Sequence, residues 1–406
     1  MLVQGKYADA KIFSENIDSG VLEQVKTLLD QDFIEGARVR IMPDCHVGIG
    51  CVIGFTADLK DKVIPNIVGV DIGCGMLTVE LGQIEIDLKN LDRIIHKHVP
   101  SGTKTHGHQL VEFEKLKTIK IYKQLRNIRR IENSIGTLGG GNHFIEIATG
   151  KDNNKFLVIH SGSRNLGLQI AKYYQNLAVD KCKGIDEHLA QKDALIKSYE
   201  NLENKKGLNK ALKKLDRDFK RKQPDYPKDL CYLEGQARDD YLHDMGIAQE
   251  YASLNRKTMA NIILEQLFGK SLADFPYWQT IHNYIDLESN IIRKGAIRAN
   301  KGEKVLIPLN MRDGSLIGVG KGNEDWNFSA PHGAGRIMSR SEAFKTLDLK
   351  DFKKEMDGIY STSISRSTLD EAPGAYKPME EIIAMIGDTV EVIDQIKPIY
   401  NFKAKE

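Results

Sequence analysis

Six residues that carry metal or phosphoryl chemistry are scattered from Asp71 to His332, and nearly all lie in glycine-rich, turn-prone segments. The segments read DIGCGM (Asp71, Cys74), GGGNHF (His143), HSGSRNLG (His160), IHNY (His282) and SAPHGAGR (His332). If these side chains meet, stretches from most of the chain must meet with them, so the chain must fold as one interdependent unit. One metal ion needs only three or four protein ligands. Asp71, Cys74, His143, His160 and His282, with His332 to spare, point instead to two metal ions and a nucleophile. That combination implies phosphoryl chemistry rather than simple metal-assisted hydrolysis.

Composition bounds the rest. The 406 residues can bury a large core, and 41% hydrophobic and 28% charged residues are ordinary for a globular protein. A net charge of +2 gives no global push toward nucleic acid, so a polyanionic partner must be held by a local basic patch. Cys45, Cys51, Cys74, Cys182 and Cys231 show no framework spacing and read as reduced thiols. No run of eighteen apolar residues occurs, and the first residues lack an apolar signal core. The expectation is a soluble cytoplasmic protein without a membrane partner.

Periodicity predicts an α+β fold. Residues 1 to about 36 read as a strand and then a helix with Val21, Val25, Leu28 and Leu29 inward. Short β-rich runs follow from Ile41 to Glu80, and FIEIA and FLVIH read as strands with a histidine at each edge. Residues 110–131 are expected to form a charged amphipathic helix burying Leu110, Phe113, Leu116, Ile119 and Ile121. Residues 168–265 read as a mostly helical insertion. Within it, 204–222 is a basic helix with Leu208, Leu212, Leu215 and Phe219 on one side. Its basic side reads first as a solvated face and, second, as a contact for a nucleic-acid backbone. Short β runs return after Tyr284, then a helix after Gly335 and another around 378–391.

The candidate residues have distinct chemical logic. Gly73 and Gly75 let the chain turn sharply enough for the Asp71 carboxylate and the Cys74 thiolate to converge, and a thiolate can bridge two ions. The GGGNHF loop exposes backbone N–H groups of the kind that cradle phosphates. Arg164 follows His160 and has the planar fork to hold a phosphate. His332 is flanked by small residues that leave room for a bulky partner, so it is a candidate general base or phosphoryl acceptor. Arg336 and Arg340 are expected on one face of the helix that follows. Asp44 reads as a hydrogen-bonding or acid–base residue and His46 is open. His96, His98, His106 and His108 read as bystanders. PLNMRDGS and LDEAPGAYK look able to enclose a planar ligand, with Tyr376 stacking on it.

These motifs, in this order, resemble the RtcB family of RNA ligases over essentially the whole chain, from AKIFSENID to the last residues. The resemblance implies a single catalytic domain over 1–406, built of mixed sheets and helices around a dinuclear metal centre. It implies two Mn²⁺ ions, with Zn²⁺ an alternative occupant that thiolate and imidazole ligands would favour. Asp71, Cys74 and His143 would hold one ion and Cys74, His160 and His282 the other. GTP would be the co-substrate, contacted by Asn142, His143, Phe144, Ile145, Glu146, His282, Asn283, Pro308, Leu309, Asn310, Met311, Ser315, His332, Gly333, Ala334, Gly335, Tyr376 and Lys403, with Lys405 a neighbouring candidate for the last. His332 would be guanylylated, with Asp44 and Arg164 completing the catalytic set. The implied reaction joins RNA 3′-phosphate or 2′,3′-cyclic phosphate ends to 5′-hydroxyl ends in RNA repair or tRNA splicing, with or without an activating protein partner. The nucleotide loop reads PLNMRDG where the family is close to PGSMGT, which marks a divergent paralogue. The alternative reading is a dinuclear phosphodiesterase or phosphatase acting on RNA ends without nucleotide transfer, which leaves His332, Tyr376 and Lys403 without a task.

Overall fold

The strand-like runs FIEIA and FLVIH pair as neighbours near the centre of a seven-stranded antiparallel sheet. The computed structural model describes residues 1–14, 17–58, 60–200 and 207–404. In chain order the strands are β1 (Leu2–Gln4), β2 (Asp9–Ile12), β3 (Val39–His46), β4 (Ile53–Asp58), β5 (Gly75–Gly82), β6 (Phe144–Thr149), β7 (Lys155–Ser161) and β8 (Tyr277–Ile281). They continue as β9 (Asn283–Asp286), β10 (Ile291–Lys294), β11 (Ala296–Arg298), β12 (Lys304–Asn310), β13 (Gly314–Gly320), β14 (Ser329–Pro331) and β15 (Val390–Lys403). The larger sheet runs β12-β13-β15-β6-β7-β5-β8, a six-stranded sheet runs β1-β2-β3-β4-β10-β9, and β11 pairs with β14. Among the described residues β2 and β3 are the one pair of these strands that runs parallel.

Alternation along the larger sheet separates two cores. Ile145, Ile147, Leu157 and Ile159 face one cluster with Leu77 and Val79. Phe144, Ala148, Phe156 and Val158 face another with Met76, Leu306 and Ile396. His160 shares the face of Phe156 and Val158 through the same period of two. A six-stranded sheet residue set including Ile12, Ile41, Phe55 and Ile292 builds a third core.

The helices are α1 (Ser19–Leu29), α2 (Pro65–Val68), α3 (Leu88–His98), α4 (Ile128–Glu132), α5 (Arg164–Cys182), α6 (Ile185–Glu200), α7 (Leu208–Arg221), α8 (Gly235–Phe268), α9 (Arg340–Thr346), α10 (Leu349–Glu355) and α11 (Met379–Ile386). Among the described residues none is long and apolar enough to cross a membrane. Helix α8 has 34 residues and so spans about 50 Å. Its first half places Tyr241, Met245, Ala248 and Tyr251 in the core of the six-stranded sheet. Its second half places Met259, Ala260, Ile263 and Leu264 against the larger sheet. One rigid element thereby joins the two cores.

The α+β expectation is met, and several elements differ in detail. Residues 110–131 are not one helix. They form 3₁₀ turns at Glu114–Thr118 and Tyr122–Gln124, and only Ile128–Glu132 is α-helical. Tertiary bonds override the periodicity: the buried Asp244 carboxylate accepts from the Lys120 and Ile121 N–H groups at 2.7 and 3.2 Å, and Asn127 takes a left-handed φ of 56°. The helical stretch is also not wholly an insertion, because α5 and α8 are core elements. Only the α6–α7 pair contributes no residue to the buried clusters, among the described residues. Helix α7 begins at Leu208, and residues 204–206 of the expected basic helix lie outside the described residues, as do Glu15 and Asn16 of the AKIFSENID motif and Lys405. The side chains Leu208, Leu212, Leu215 and Phe219 are half-buried while Lys210, Lys213, Lys214 and Arg217 are exposed, the pattern of a solvated basic face. After Gly335 the chain stays extended through Arg336, which bridges to Tyr376, and helix α9 begins only at Arg340 behind the Ser339 cap. Arg336 and Arg340 therefore do not share a helix face. The last helix stops at Ile386, and the chain then enters the 14-residue β15.

Ile145 was a candidate nucleotide contact, but its side chain points into the core opposite Phe144 and Glu146. Ile145→Ala should cost about 2–5 kcal/mol of stability, as large-to-small core changes do, read as a lower denaturant midpoint.

Candidate metal and nucleotide site

At the junction of its two halves, α8 presents Asn255 and Arg256, both fully buried. The Arg256 guanidinium donates to the backbone carbonyls of Gly73 (2.8 Å) and Ser161 (2.7 Å) and to Gln279 Oε1 (2.8 Å). The Asn255 amide oxygen accepts from the N–H groups of Gly136 and Thr137, while its nitrogen donates to Thr137 O, Ser161 Oγ and Gly162 O. These two side chains tie the DIGCGM loop, the loop leading into GGGNHF and the HSGSR loop to one helix. Gly73 is required in this contact: its φ is +70°, and a Cβ there would lie 2.9 Å from Gln249 Cα. Sequence reading missed Asn255 and Arg256. The only signal was a polar pair inside an otherwise apolar helix face.

The loops deliver five donors to one place. The ligand atoms of Asp71, Cys74 and His143 lie within 4.8 Å of one another, and so do those of Cys74, His160 and His282. Cys74 belongs to both groups. Its Sγ lies 3.4 Å from His143 Nε2 and 3.2 Å from His160 Nε2, and His143 Nε2 is 2.9 Å from Asp71 Oδ2. His143 Nδ1 donates to Leu138 O and His160 Nδ1 to Asn142 O, which leaves both Nε2 atoms facing the centre. That outer hydrogen bond to a carbonyl is what metal-ligating histidines use to fix their tautomer.

Electrostatics agree with a site meant for cations. Burial, followed by the charge of Asp71, pushes the Cys74 thiol well up. Burial and neighbouring imidazoles hold His160 and His282 well below the usual histidine range, so both present neutral rings. Burial opposes ionisation of Asp71, yet the His143 hydrogen bond and charge, with Cys74 and Arg164, bring its carboxyl down to about 2. Two neutral imidazoles, a carboxylate and a thiol whose proton a metal would displace form a donor set that fits metal ions.

His332 stands at the end of this cluster. The ring centroids of His143, His160, His282 and His332 follow one another at 5.2, 5.2 and 5.0 Å. The fully buried Asp44 accepts from His332 Nδ1 at 2.7 Å and from the N–H groups of His332 and Gly333 at 3.1 Å each. This arrangement puts the proton on Nδ1 and leaves the Nε2 lone pair free. His46 lines the same cleft; burial lowers it to about 4, and its Nδ1 donates to Asp44 O.

A cleft opens beside His332, lined by Asn142, Phe144, Glu146, Pro308 to Met311, Gly333 to Gly335, Tyr376 and Lys403. Its far end holds Glu371, which the sequence reading did not single out. Glu371 is ion-paired with Lys403 and with Arg340 (2.7 Å), and it accepts from the Tyr376 hydroxyl at 2.7 Å. Burial resists its charge, but Lys403 and Arg340 outweigh that and hold the carboxyl at about 2. Arg336 lies 5.0 Å over the Tyr376 ring. Glu146 behaves in the opposite way. Burial raises it to about 8, only partly offset by Asn401 and Lys403, and its Oε1 has no partner.

The remaining candidates are placed less directly. The PLNMRDG segment is a self-contained hairpin turn: Asn310 Oδ1 accepts from the Arg312 and Asp313 N–H groups, and Arg312 pairs with Asp313 at 2.8 Å. The two added charges neutralise each other outside the cleft. Asn283 Oδ1 caps Gly295 N, and the Ser315 hydroxyl is buried without a partner on β13. The Arg164 guanidinium lies across Gly139 and donates to Gly102 O (3.1 Å) and Thr137 Oγ1 (3.4 Å), so the structure turns it onto the loop backbone. His96 and His106 contact Thr362 and Gly136, away from the donor cluster. All five cysteines are free.

Fold and site together define an α+β protein that presents a buried metal-ligand cluster and one free imidazole to a single cleft. The family model described as tRNA-splicing ligase RtcB matches residues 24–127 and 114–404. The RNA-splicing ligase RtcB of Escherichia coli (strain K12) is 30% identical over 401 residues, covering 89% of each chain. The tRNA-splicing ligases RtcB of Methanococcus maripaludis and Aeropyrum pernix are 25% and 26% identical, each over 94% of this chain and 90% and 93% of their own. The chain belongs to the RtcB family.

The depressed Glu371 predicts a specific pH dependence. Its stabilising contribution is present above the usual carboxyl value of 4.5 and is lost as pH falls toward about 2. Glu371→Gln should therefore be clearly less stable than wild type at pH 7, with the gap in melting temperature closing on acidification through that window.

Proposed function

We propose that this protein is a GTP- and Mn²⁺-dependent RNA ligase that joins 3′-phosphate or 2′,3′-cyclic phosphate RNA ends to 5′-hydroxyl ends through a guanylylated His332. The observation that carries this reading is the Asp44–His332 pair, with a free Nε2 between the donor cluster and a cleft lined by Glu146, Tyr376 and Lys403. Family membership supports RNA joining as the overall reaction.

His332 is the nucleophile. Its Nε2 lone pair bonds to the α-phosphorus of GTP as the bond to the β-phosphate oxygen breaks and pyrophosphate leaves. The Nδ1 proton stays on the ring, donated to Asp44, whose negative charge offsets the positive charge the ring gains. Asp44 is a positioning residue, fixed by its three hydrogen bonds to residues 332 and 333. An oxygen of the RNA 3′-phosphate then takes GMP from His332, breaking the N–P bond. The incoming 5′-hydroxyl attacks the activated 3′-phosphorus and GMP leaves. A 2′,3′-cyclic end is first opened by water to the 3′-phosphate.

Asp71, Cys74 and His143 would hold one metal ion, and Cys74, His160 and His282 a second sharing the sulfur. When bound, the ions supply positive charge opposite the phosphoryl oxygens. Manganese is proposed because phosphate and carboxylate oxygens complete the donor set, with zinc the alternative occupant. In the cleft, the unpartnered Glu146 Oε1 suits the N–H edge of a guanine, and Tyr376, Lys403 and the 308–311 turn enclose the nucleotide. Arg164 contributes charge beside Asp71.

Incubation with α-labelled GTP and Mn²⁺ should leave label on the protein, and His332→Ala should leave none. Asp44→Asn should slow labelling by about 10²–10⁴-fold, as loss of an imidazole-orienting carboxylate does elsewhere. An unlabelled wild type, or equal label on His332→Ala, refutes the nucleotidyl-transfer step and favours the phosphodiesterase reading.

A further inference from the structure

Residues 110–131, expected from the sequence as one helix, carry seven Lys or Arg against two acids, Glu112 and Glu114. Breaking the helix spreads these cations over the surface. Lys115 pairs with Glu250, Lys117 lies 3.9 Å from Glu112, and Arg130 donates to Thr103 O. Among the described residues, Lys120, Lys123, Arg126 and Arg129 form no ion pair, and neither does Lys172 on α5; all five are exposed. Five exposed cations without an ion pair leave a local positive field on this surface.

The cluster borders a groove between residues 121–127 and α5. Its floor is apolar, from the buried Ile121 and Leu125 and the half-buried Leu168 and Tyr173. Arg126 and Lys172 stand at its rim. Gln169 fixes its width: Oε1 accepts from Arg126 N at 2.7 Å, and Nε2 donates to Arg126 O at 3.0 Å and Asn165 Oδ1 at 2.6 Å. The helix residues of the groove lie at 165, 168, 169, 172 and 173, one face of α5. That face begins one residue past Arg164 and the HSGSR loop and runs for about 12 Å along the helix.

We propose that this groove holds a single-stranded stretch of the RNA substrate next to the end being joined, a reading that rests on RNA being the substrate. The chemistry selects that occupant. An apolar floor with an aromatic ring accepts base faces whatever the base, and unpaired Lys and Arg at the rim match phosphates. The basic face of α7 has charge but no floor, which suits at most a diffuse contact with a backbone.

The test uses the full chain and a single-stranded RNA oligonucleotide with a 3′-phosphate, titrated by fluorescence anisotropy across a KCl series. Arg126→Ala/Lys172→Ala should bind at least 10-fold more weakly at low salt. Its slope of log K against log salt should be shallower by about 1.4, the value for two lost phosphate contacts on a single strand. Labelling from α-labelled GTP should be unchanged, because neither residue belongs to the nucleotide cleft. Arg126→Lys/Lys172→Arg should restore wild-type affinity. Wild-type affinity and slope in the alanine pair overturn the proposal, and so does a conservative pair that binds as weakly as the alanine pair. A wild type that shows the expected RNA slope but takes no label from GTP refutes the ligase chemistry and leaves the groove standing.

Discussion

The site depends on a buried guanidinium with no carboxylate of its own. Arg256 sits at the midpoint of α8, and its hydrogen bonds go to the carbonyls of two donor loops and to Gln279. Burying a cation is costly, and here Nε and Nη1 are hydrogen-bonded while Nη2 is buried without a partner, so the charge it faces has to offset much of that cost. Burial lowers Arg256 to about 10, while Cys74 and Asp71 pull it back toward its charged form. The cation and the donor cluster therefore support each other: Arg256 favours the thiolate that a metal ligand must become, and the thiolate justifies the buried charge. Because the two halves of α8 are packed in different cores, this coupling makes the donor geometry a property of the whole fold.

Three buried carboxylates in or beside the cleft do different work. Asp44 Oδ2 accepts from one imidazole N–H and two backbone N–H groups, which fixes the His332 ring, while its Oδ1 is buried without a hydrogen-bond partner. Glu371 is saturated by cations and a phenol, so it organises Lys403, Arg340 and Tyr376 into a wall. Glu146 also keeps an unpartnered oxygen, but it lines the cleft and burial raises its pKa, which suits a group that meets a hydrogen-bonding ligand. The environment of each carboxylate, more than its identity, assigns its role.

Much of this was legible in the sequence because it rests on local rules. Period-two alternation found β6 and β7, and the turn chemistry of glycine-rich loops marked where Asp71, Cys74 and the four histidines would lie. Asp44 was legible as a hydrogen-bonding or acid–base residue, but its partner was not, since His332 is 288 residues away. Asn255, Arg256 and Glu371 were not legible, because their importance comes from loops and cations that only the fold brings to them. The same cause broke the expected helix at 110–131: the Asp244 carboxylate, far along the chain, captures two N–H groups that a helix would have used. The Ile145 side chain faces the core because its strand neighbours Phe144 and Glu146 face the cleft, an alternation that a contiguous motif conceals. The substitutions in PLNMRDG were alarming as sequence and are quiet as structure, since Arg312 and Asp313 pair with each other.

The central claim is that one sulfur, Cys74 Sγ, joins two ligand groups. Anomalous diffraction from crystals grown with Mn²⁺ tests it most directly. The account predicts two anomalous peaks about 3.5–4 Å apart, as in two-metal sites, each within bonding distance of Cys74 Sγ. A single peak, or two peaks of which one does not touch that sulfur, would contradict it.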